Sequence, residues 1–94
     1  MKLKNVPELK KLRAAVDRLD DKTAALLAKR FGFAEKIGRL KKKCGCAVGD
    51  AKREREILER LASYGGRKYA DGLVRVFKAV IRESRGMQKV RRKS

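Results

Sequence analysis

The chain has 94 residues, of which 28 are Lys or Arg and 11 are Asp or Glu, so its formal net charge is +17. This length suits one small domain that is marginally stable alone, and we therefore expect an oligomer. The basic excess attracts nucleic acids, acidic lipids and small polyanionic metabolites alike, and it selects none of them. No apolar run suits a membrane span or a signal peptide, which predicts a cytoplasmic protein without a membrane partner.

The first predicted helix begins after Asn5, which can cap the free amides, with Pro7 and Glu8 in its first turn. We expect it to cover about residues 6–43 and to extend roughly 50 Å or more at ~1.5 Å per residue. The rest of the chain is too short to wrap such a helix, so a second subunit should cover it. Its seam has alternating spacings of four and three: Leu12, Val16, Leu19, Thr23, Leu26, Arg30, Phe33, Ile37 and Leu40.

Two cysteines, Cys44 and Cys46, follow this helix in a glycine-containing connection. At a separation of two positions a disulfide is hard to close without strain, and the sequence has no His to complete a metal site. We therefore expect reduced cysteines, as in most cytosolic proteins, and no metal. A zinc pair shared between two subunits is the open alternative.

Two shorter helices are predicted after this connection. Asp50 is placed to cap a helix over about 51–64, with Ile57 on its buried face and Gly65-Gly66 at its end. A third helix over about 68–90 has one inward stripe: Ala70, Leu73, Phe77, Val80, Ile81, Ser84 and Gln88. The expected fold class is all-α, with three helices and a basic C-terminal tail in one domain.

Some polar residues lie where the helical periodicity favours apolar ones. Arg30 lies in the seam between Leu26 and Phe33, where an unpaired charge is costly. A buried anion would neutralise it, although an Arg that snorkels or pairs with a partner subunit fits equally well. Lys41 lies about 20° from Arg30 at ~100° per residue, so both can face one cavity. Taken alone, Lys41 belongs to the run Lys41–Lys43, which is typical of a solvated face.

Ser84 and Gln88 share one face of the third helix by their i, i+4 spacing, unless the helix simply leaves the core there. Arg53 and Glu54 begin the second helix, where a surface Arg and a first-turn Glu are the plain alternative. With no His, phosphate loop or paired carboxylates in evidence, these cations and amides suit a reaction that needs only orientation and charge stabilisation.

These residues together resemble the all-helical chorismate mutases over nearly the whole chain. The resemblance implies an intertwined homodimer that isomerises chorismate to prephenate, without a cofactor, in aromatic amino acid biosynthesis. Each matching residue is a weak signal, but their joint spacing is specific. The matching residues are Leu12-Arg13, Asp17, Leu19-Asp20, Leu26-Leu27, Arg30, Ile37-Gly38, Lys41, Val48, Asp50, Arg53-Glu54, Ile57-Leu58, Ser84 and Gln88.

The resemblance also implies a role for each site residue. Arg30 and Arg53 of one subunit, with Arg13 of the other, hold the two carboxylates of the substrate, and Ser84 assists at that end. The implied donors to the ether oxygen of the breaking bond are Lys41 and Gln88. The implied partners of the ring hydroxyl, which fix the diaxial form, are Glu54 and the backbone of Asp50.

Two other functions compete with this interpretation. An isochorismate pyruvate lyase has a similar fold and a similar dianionic substrate, but Glu54 together with Ser84 and Gln88 favours the mutase. A helical nucleic-acid-binding module is supported only by the basic excess. The few aromatic residues, Phe31, Phe33 and Phe77 among them, are better used in the core than for stacking on bases. We therefore expect any nucleic-acid binding to be incidental.

Overall fold

A computed structural model describes residues 6–89, which form an elongated, all-helical unit of 61 × 34 × 16 Å. This part of the chain contains no strand, and the predicted all-α class is confirmed. None of its helices is both long and apolar enough to cross a membrane. The predicted Asn5 cap and the basic tail at 90–94 lie outside the described residues. In chain order the elements are α1 (Val6–Cys44), α2 (Ala51–Ala62), a single 3₁₀ turn (Ser63–Gly65) and α3 (Gly66–Gln88).

The connection after α1 corrects the expectation of reduced cysteines, because Cys44 and Cys46 are joined by a disulfide. Gly45 adopts a positive φ of 72°, a conformation that glycine takes without steric cost, and it turns the chain back on the helix end. The amide of Cys46 then donates to the Lys41 carbonyl at 2.8 Å, and the two cysteine Cα atoms lie 5.5 Å apart. That separation lies within the usual range for a disulfide.

The turn between α2 and α3 is tighter than the sequence predicts. Because the chain enters a 3₁₀ turn after Ala62, α2 ends two residues early and α3 begins at Gly66, two residues before the predicted start. Gly66 has φ 60° there. A Cβ on Gly65 would lie 2.7 Å from the Cβ of Tyr69 and 2.8 Å from a methyl carbon of Leu73. Two glycines are therefore needed for this close reversal.

The third helix lies between the other two and carries half of the buried residues of the described chain. No Cα atom of α1 approaches one of α2 within 8 Å in the described structure, whereas α3 packs on both. The inward stripe predicted for α3 is confirmed, since its buried residues all belong to it. The buried residues are Ala34 and Gly38 of α1, Ile57 of α2, and Val80, Ile81 and Ser84 of α3.

The apolar seam of α1 is mostly exposed in the single chain. Between residues 6 and 29 only Ala15 and Leu27 are even partly covered. Leu19 and Leu26 are 61% and 66% exposed, although apolar side chains favour burial. Phe33 is also exposed, so its expected place in the core is not found within one chain, whereas the other two phenylalanines are half-buried.

Gly38 allows α1 and α3 to meet closely near the end of α3. A Cβ at this position would overlap the carbonyl group of Gln88 and lie 2.6 Å from its Cα. Because the obstacle is backbone, the helices must separate to accept a methyl group. We expect Gly38→Ala to lower the free energy of unfolding by about 1–3 kcal/mol, the usual cost of overpacking, measured by urea denaturation.

Gly32 provides the matched control for this substitution. It lies in the same helix, and nothing lies within 4 Å of a Cβ built there. We expect Gly32→Ala to leave stability unchanged or to raise it by up to about 1 kcal/mol, because Ala is the better helix former. Equal stability of the two variants would contradict the close approach at Gly38.

Candidate active site

A cavity of about 480 Å³ lies where the C-terminal part of α1, the following connection, the start of α2 and the end of α3 meet. The helical phases predicted from the sequence are confirmed here, since Arg30 and Lys41 face the same space, as do Ser84 and Gln88. Most of the predicted site residues therefore converge although they are far apart in sequence. Those that line the cavity are Arg30, Lys41, Asp50, Arg53, Glu54, Ser84 and Gln88.

Arg13 is the predicted site residue that the single chain does not bring to this cavity. It is exposed and belongs to the projecting N-terminal part of α1. It precedes Arg30 by 17 residues. At ~1.5 Å per residue the two Cα atoms are separated by roughly 25 Å along the helix axis. Arg13 and Arg30 of the same chain therefore cannot hold one small ligand together.

The guanidinium of Arg30 is fixed by Ser84. The buried Ser84 hydroxyl donates to the Val80 carbonyl at 2.7 Å and accepts from Arg30 Nη1 at 2.5 Å. A hydroxyl has a single proton to donate, and this one is committed to the helix backbone. Ser84 therefore orients Arg30 as an acceptor.

Positive charges gather around Arg30. Burial is the main cause that lowers the pKa of Arg30, and repulsion by Arg53 and Arg60 lowers it further. Within residues 6–89 no carboxylate lies within ion-pair distance of Arg30. A guanidinium remains protonated in proteins, so these charges persist at neutral pH. The site consequently favours an anionic ligand, which would offset both the burial and the repulsion.

Lys41 and Gln88 form a second polar group in the cavity. Lys41 Nζ donates to the Val48 carbonyl at 2.8 Å and to Gln88 Oε1 at 3.3 Å. Because an ammonium has no acceptor, it requires the oxygen of the Gln88 amide to face it. This arrangement leaves the amide N–H groups of Gln88 Nε2 and one ammonium proton of Lys41 as donors. The packing of α1 on α3 holds both side chains in place.

The start of α2 supplies the carboxylates of the cavity. The Asp50 side chain caps the helix as predicted, accepting from the Arg53 amide at 3.0 Å. Its carbonyl accepts from the Glu54 amide at 3.0 Å, so the amide N–H is the backbone group of Asp50 left for a ligand. Glu54 is half-buried, and its Oε2 lies 3.4 Å from Nη1 of Arg85 on α3.

The sequence did not predict a role in the cavity for two of its residues, Arg85 and Val48. Arg85 lines it, and the signal was available, because Arg85 follows the buried Ile81 by one i, i+4 step. Val48 contributes through its backbone carbonyl, a role that no side-chain pattern reveals. The apolar part of the wall, which suits a ligand with an apolar body, is Phe33, Ala34, Ile37, Ile57 and Ile81.

The residues of this cavity are suited to binding and orienting a ligand rather than to forming a covalent bond with it. Its polar groups are guanidiniums, an ammonium, an amide and carboxylates on three packed helices. In preorganised positions such groups stabilise charge that develops in a ligand, and they need no covalent intermediate to do so. The cavity therefore suits the binding and orientation of a small anionic ligand.

Comparison with known proteins points to one family. A sequence profile of the family described as chorismate mutase type II matches residues 12–89. The chain is 33% identical over 87 residues to a bifunctional chorismate mutase/prephenate dehydratase of Aquifex aeolicus, an alignment that covers 87% of this chain and 24% of that protein. For the protein of the same name from Escherichia coli K12 the identity is 37% over 75 residues, covering 78% of this chain and 19% of the relative.

A third relative is similar in length to this chain. The chorismate mutase of Methanocaldococcus jannaschii is 24% identical over 86 residues, covering 89% of this chain and 87% of that protein. The chain thus spans about a quarter or less of the bifunctional relatives and most of the Methanocaldococcus protein.

Proposed function

The chain belongs to the type II chorismate mutase family, and we propose that it is an isomerase that converts chorismate to prephenate, in aromatic amino acid biosynthesis, without a cofactor. The observation that carries this proposal is the convergence of the Arg30–Ser84 pair and the Lys41–Gln88 pair on one cavity. The first pair suits a carboxylate, and the second suits an oxygen that gains negative charge.

The cations of the cavity would bind the two carboxylates of chorismate. Arg30 and Arg53 face a common space and repel each other there, so a dianion relieves an existing cost. Ser84 would hold Arg30 in the binding orientation. A guanidinium suits this task because its planar fork matches both oxygens of a carboxylate.

Lys41 and Gln88 would act on the breaking bond. In the [3,3] rearrangement the ether C–O bond breaks while a C–C bond forms between the enolpyruvyl arm and the ring. The ether oxygen gains partial negative charge in the transition state. Donors fixed beside it bind the transition state more strongly than the substrate, which lowers the barrier.

Glu54 and Asp50 would hold the ring hydroxyl. The Glu54 carboxylate would accept a hydrogen bond from the ring hydroxyl, while the backbone amide of Asp50 would donate one to the hydroxyl oxygen. Two contacts on one substituent favour a single ring conformer, the diaxial form in which the reacting carbons approach each other. Both residues lie at the start of α2, where the helix cap fixes the backbone.

We further propose a homodimer in which Arg13 serves the partner's cavity. The support is the exposed seam of α1, which presents Leu12, Leu19 and Leu26 on a projecting helix. A second copy that packs along this seam buries apolar surface and brings another N-terminal half of α1 near the cavity. Arg13 would then provide a further cation for the substrate. A cytoplasmic location stays a prediction.

A product assay tests the proposed function. We expect purified protein to remove chorismate absorbance, with prephenate identified as the product. Pyruvate release from isochorismate, without prephenate formation from chorismate, would instead indicate the lyase. We expect any nucleic-acid binding to be independent of sequence and to be lost at moderate salt. Such binding would result from the +17 charge alone and would not be the function of the protein.

We predict a nearly flat pH dependence of kcat between about pH 6 and 8. The chain has no His, and Gln88 does not titrate. Initial rates at saturating chorismate, with the oligomeric state checked at each pH, measure this dependence. A steep change in kcat over that interval would show that a titrating group outside the proposed set takes part.

A further inference from the structure

The carboxylate of Glu54 shares the cavity with three guanidinium groups. Arg30, Arg53 and Arg85 all line the same space as Glu54. Within the described chain, the guanidinium within ion-pair distance of Glu54 is that of Arg85, at 3.4 Å. Its partner is thus a residue of α3 and not the sequence neighbour Arg53.

Which cation pairs with Glu54 affects ligand binding, because the carboxylate of Glu54 can occupy the same cations as the carboxylates of the substrate. If Glu54 paired with Arg30 or Arg53, it would occupy the cations that a dianion needs. Arg30 is already repelled by Arg53, so such an internal pair would be electrostatically favourable and would weaken ligand binding. An additional cation that holds Glu54 elsewhere removes this competition.

We propose that Arg85 is a positioning residue that holds Glu54 away from the Arg30–Arg53 pair. The inference rests on the proposed function of the cavity. Arg85 contacts Oε2 of Glu54, which leaves Oε1 to accept a hydrogen bond from a ring hydroxyl. The Arg85 side chain lines the cavity and is 40% exposed, so part of it is in contact with solvent.

Arg85→Met tests the proposal because methionine keeps an apolar stem of similar reach and removes the charge. We expect KM for chorismate to rise about tenfold and kcat to change less than about threefold, since Glu54 then competes with the substrate for Arg30 and Arg53. Arg85→Lys, which keeps the charge, should restore KM to within about threefold of the unsubstituted value. Circular dichroism and thermal melting confirm that each variant is folded.

The matched control is Arg82→Met on the same helix. Arg82 is exposed, pairs weakly with its neighbour Glu83 and does not line the cavity. Both substitutions lower the net charge by one, so a general loss of attraction for the dianion would raise KM equally in the two variants. We expect Arg82→Met to leave KM unchanged, and an equal rise would overturn the proposal.

A double variant separates positioning from direct binding. In a Glu54→Gln background the competing carboxylate is removed, while that of Asp50 stays committed to the helix cap, so adding Arg85→Met should raise KM no further. A full additional rise would mean that Arg85 binds the substrate itself, and the proposal would be wrong. Unchanged KM in Arg85→Met with an active unsubstituted protein overturns the positioning role alone. An unsubstituted protein that forms no prephenate overturns the proposed function and the positioning role together.

Discussion

Replacing Lys41 by Ala is expected to lower kcat by at least about 10²-fold, the usual scale for a donor lost from developing negative charge. Lys41 Nζ is held between the Val48 carbonyl and Gln88 Oε1, so its remaining proton has a fixed direction. Steady-state kinetics with chorismate gives kcat and KM separately.

Lys42→Ala is the control, because it removes the same charge from the next residue of the same helix. Lys42 is exposed and does not line the cavity. We expect it to keep near-normal kcat, and we expect both variants to retain their helicity by circular dichroism. Near-normal kcat in a folded Lys41→Ala protein would exclude the proposed role of this side chain.

Arg13→Ala and Arg30→Ala homodimers are both expected to be nearly inactive, and mixing them is expected to restore activity. The two residues are about 100° out of phase on one helix at ~100° per residue, besides being far apart along it. If Arg13 serves the partner's cavity, one site of a mixed dimer carries both substitutions. The other site receives intact Arg30 from one chain and intact Arg13 from the other.

Random reassortment makes about half of the dimers mixed, with one of their two sites intact, so roughly a quarter of normal activity should return. Co-expression of differently tagged subunits followed by two affinity steps supplies the mixed species. Light scattering confirms that it is a dimer. Purified mixed dimers as inactive as both parents would disprove a site shared between subunits.

Periodicity predicted the fold because each helix carries its own pattern. The four-three spacing of the α1 seam predicted a single helix to within one residue of its end at Cys44. The same angular reasoning placed Arg30 and Lys41 on one face, since a residue's direction around a helix follows from counting. Family resemblance then supplied chemical roles that counting alone does not give.

The features that the sequence did not predict depend on backbone turns or on contacts between helices. The disulfide between Cys44 and Cys46 depends on the positive φ of Gly45, which sets the distance between flanking residues. The early start of α3 depends on a 3₁₀ turn that the double glycine permits but does not require. Arg85 is one basic residue among 28 in the sequence, and only the packing of α3 against α2 places it beside Glu54.

The position of α3 between α1 and α2 has a consequence for the order of folding. During synthesis α1 and α2 emerge first, yet they share no close backbone contact within the described chain. Most of the buried core and the cavity wall are therefore assembled when α3 docks, and its docking joins both earlier helices in one event. Such a chain should have little tertiary stability until α3 is complete, and it should then fold as one cooperative unit without a stable two-helix intermediate.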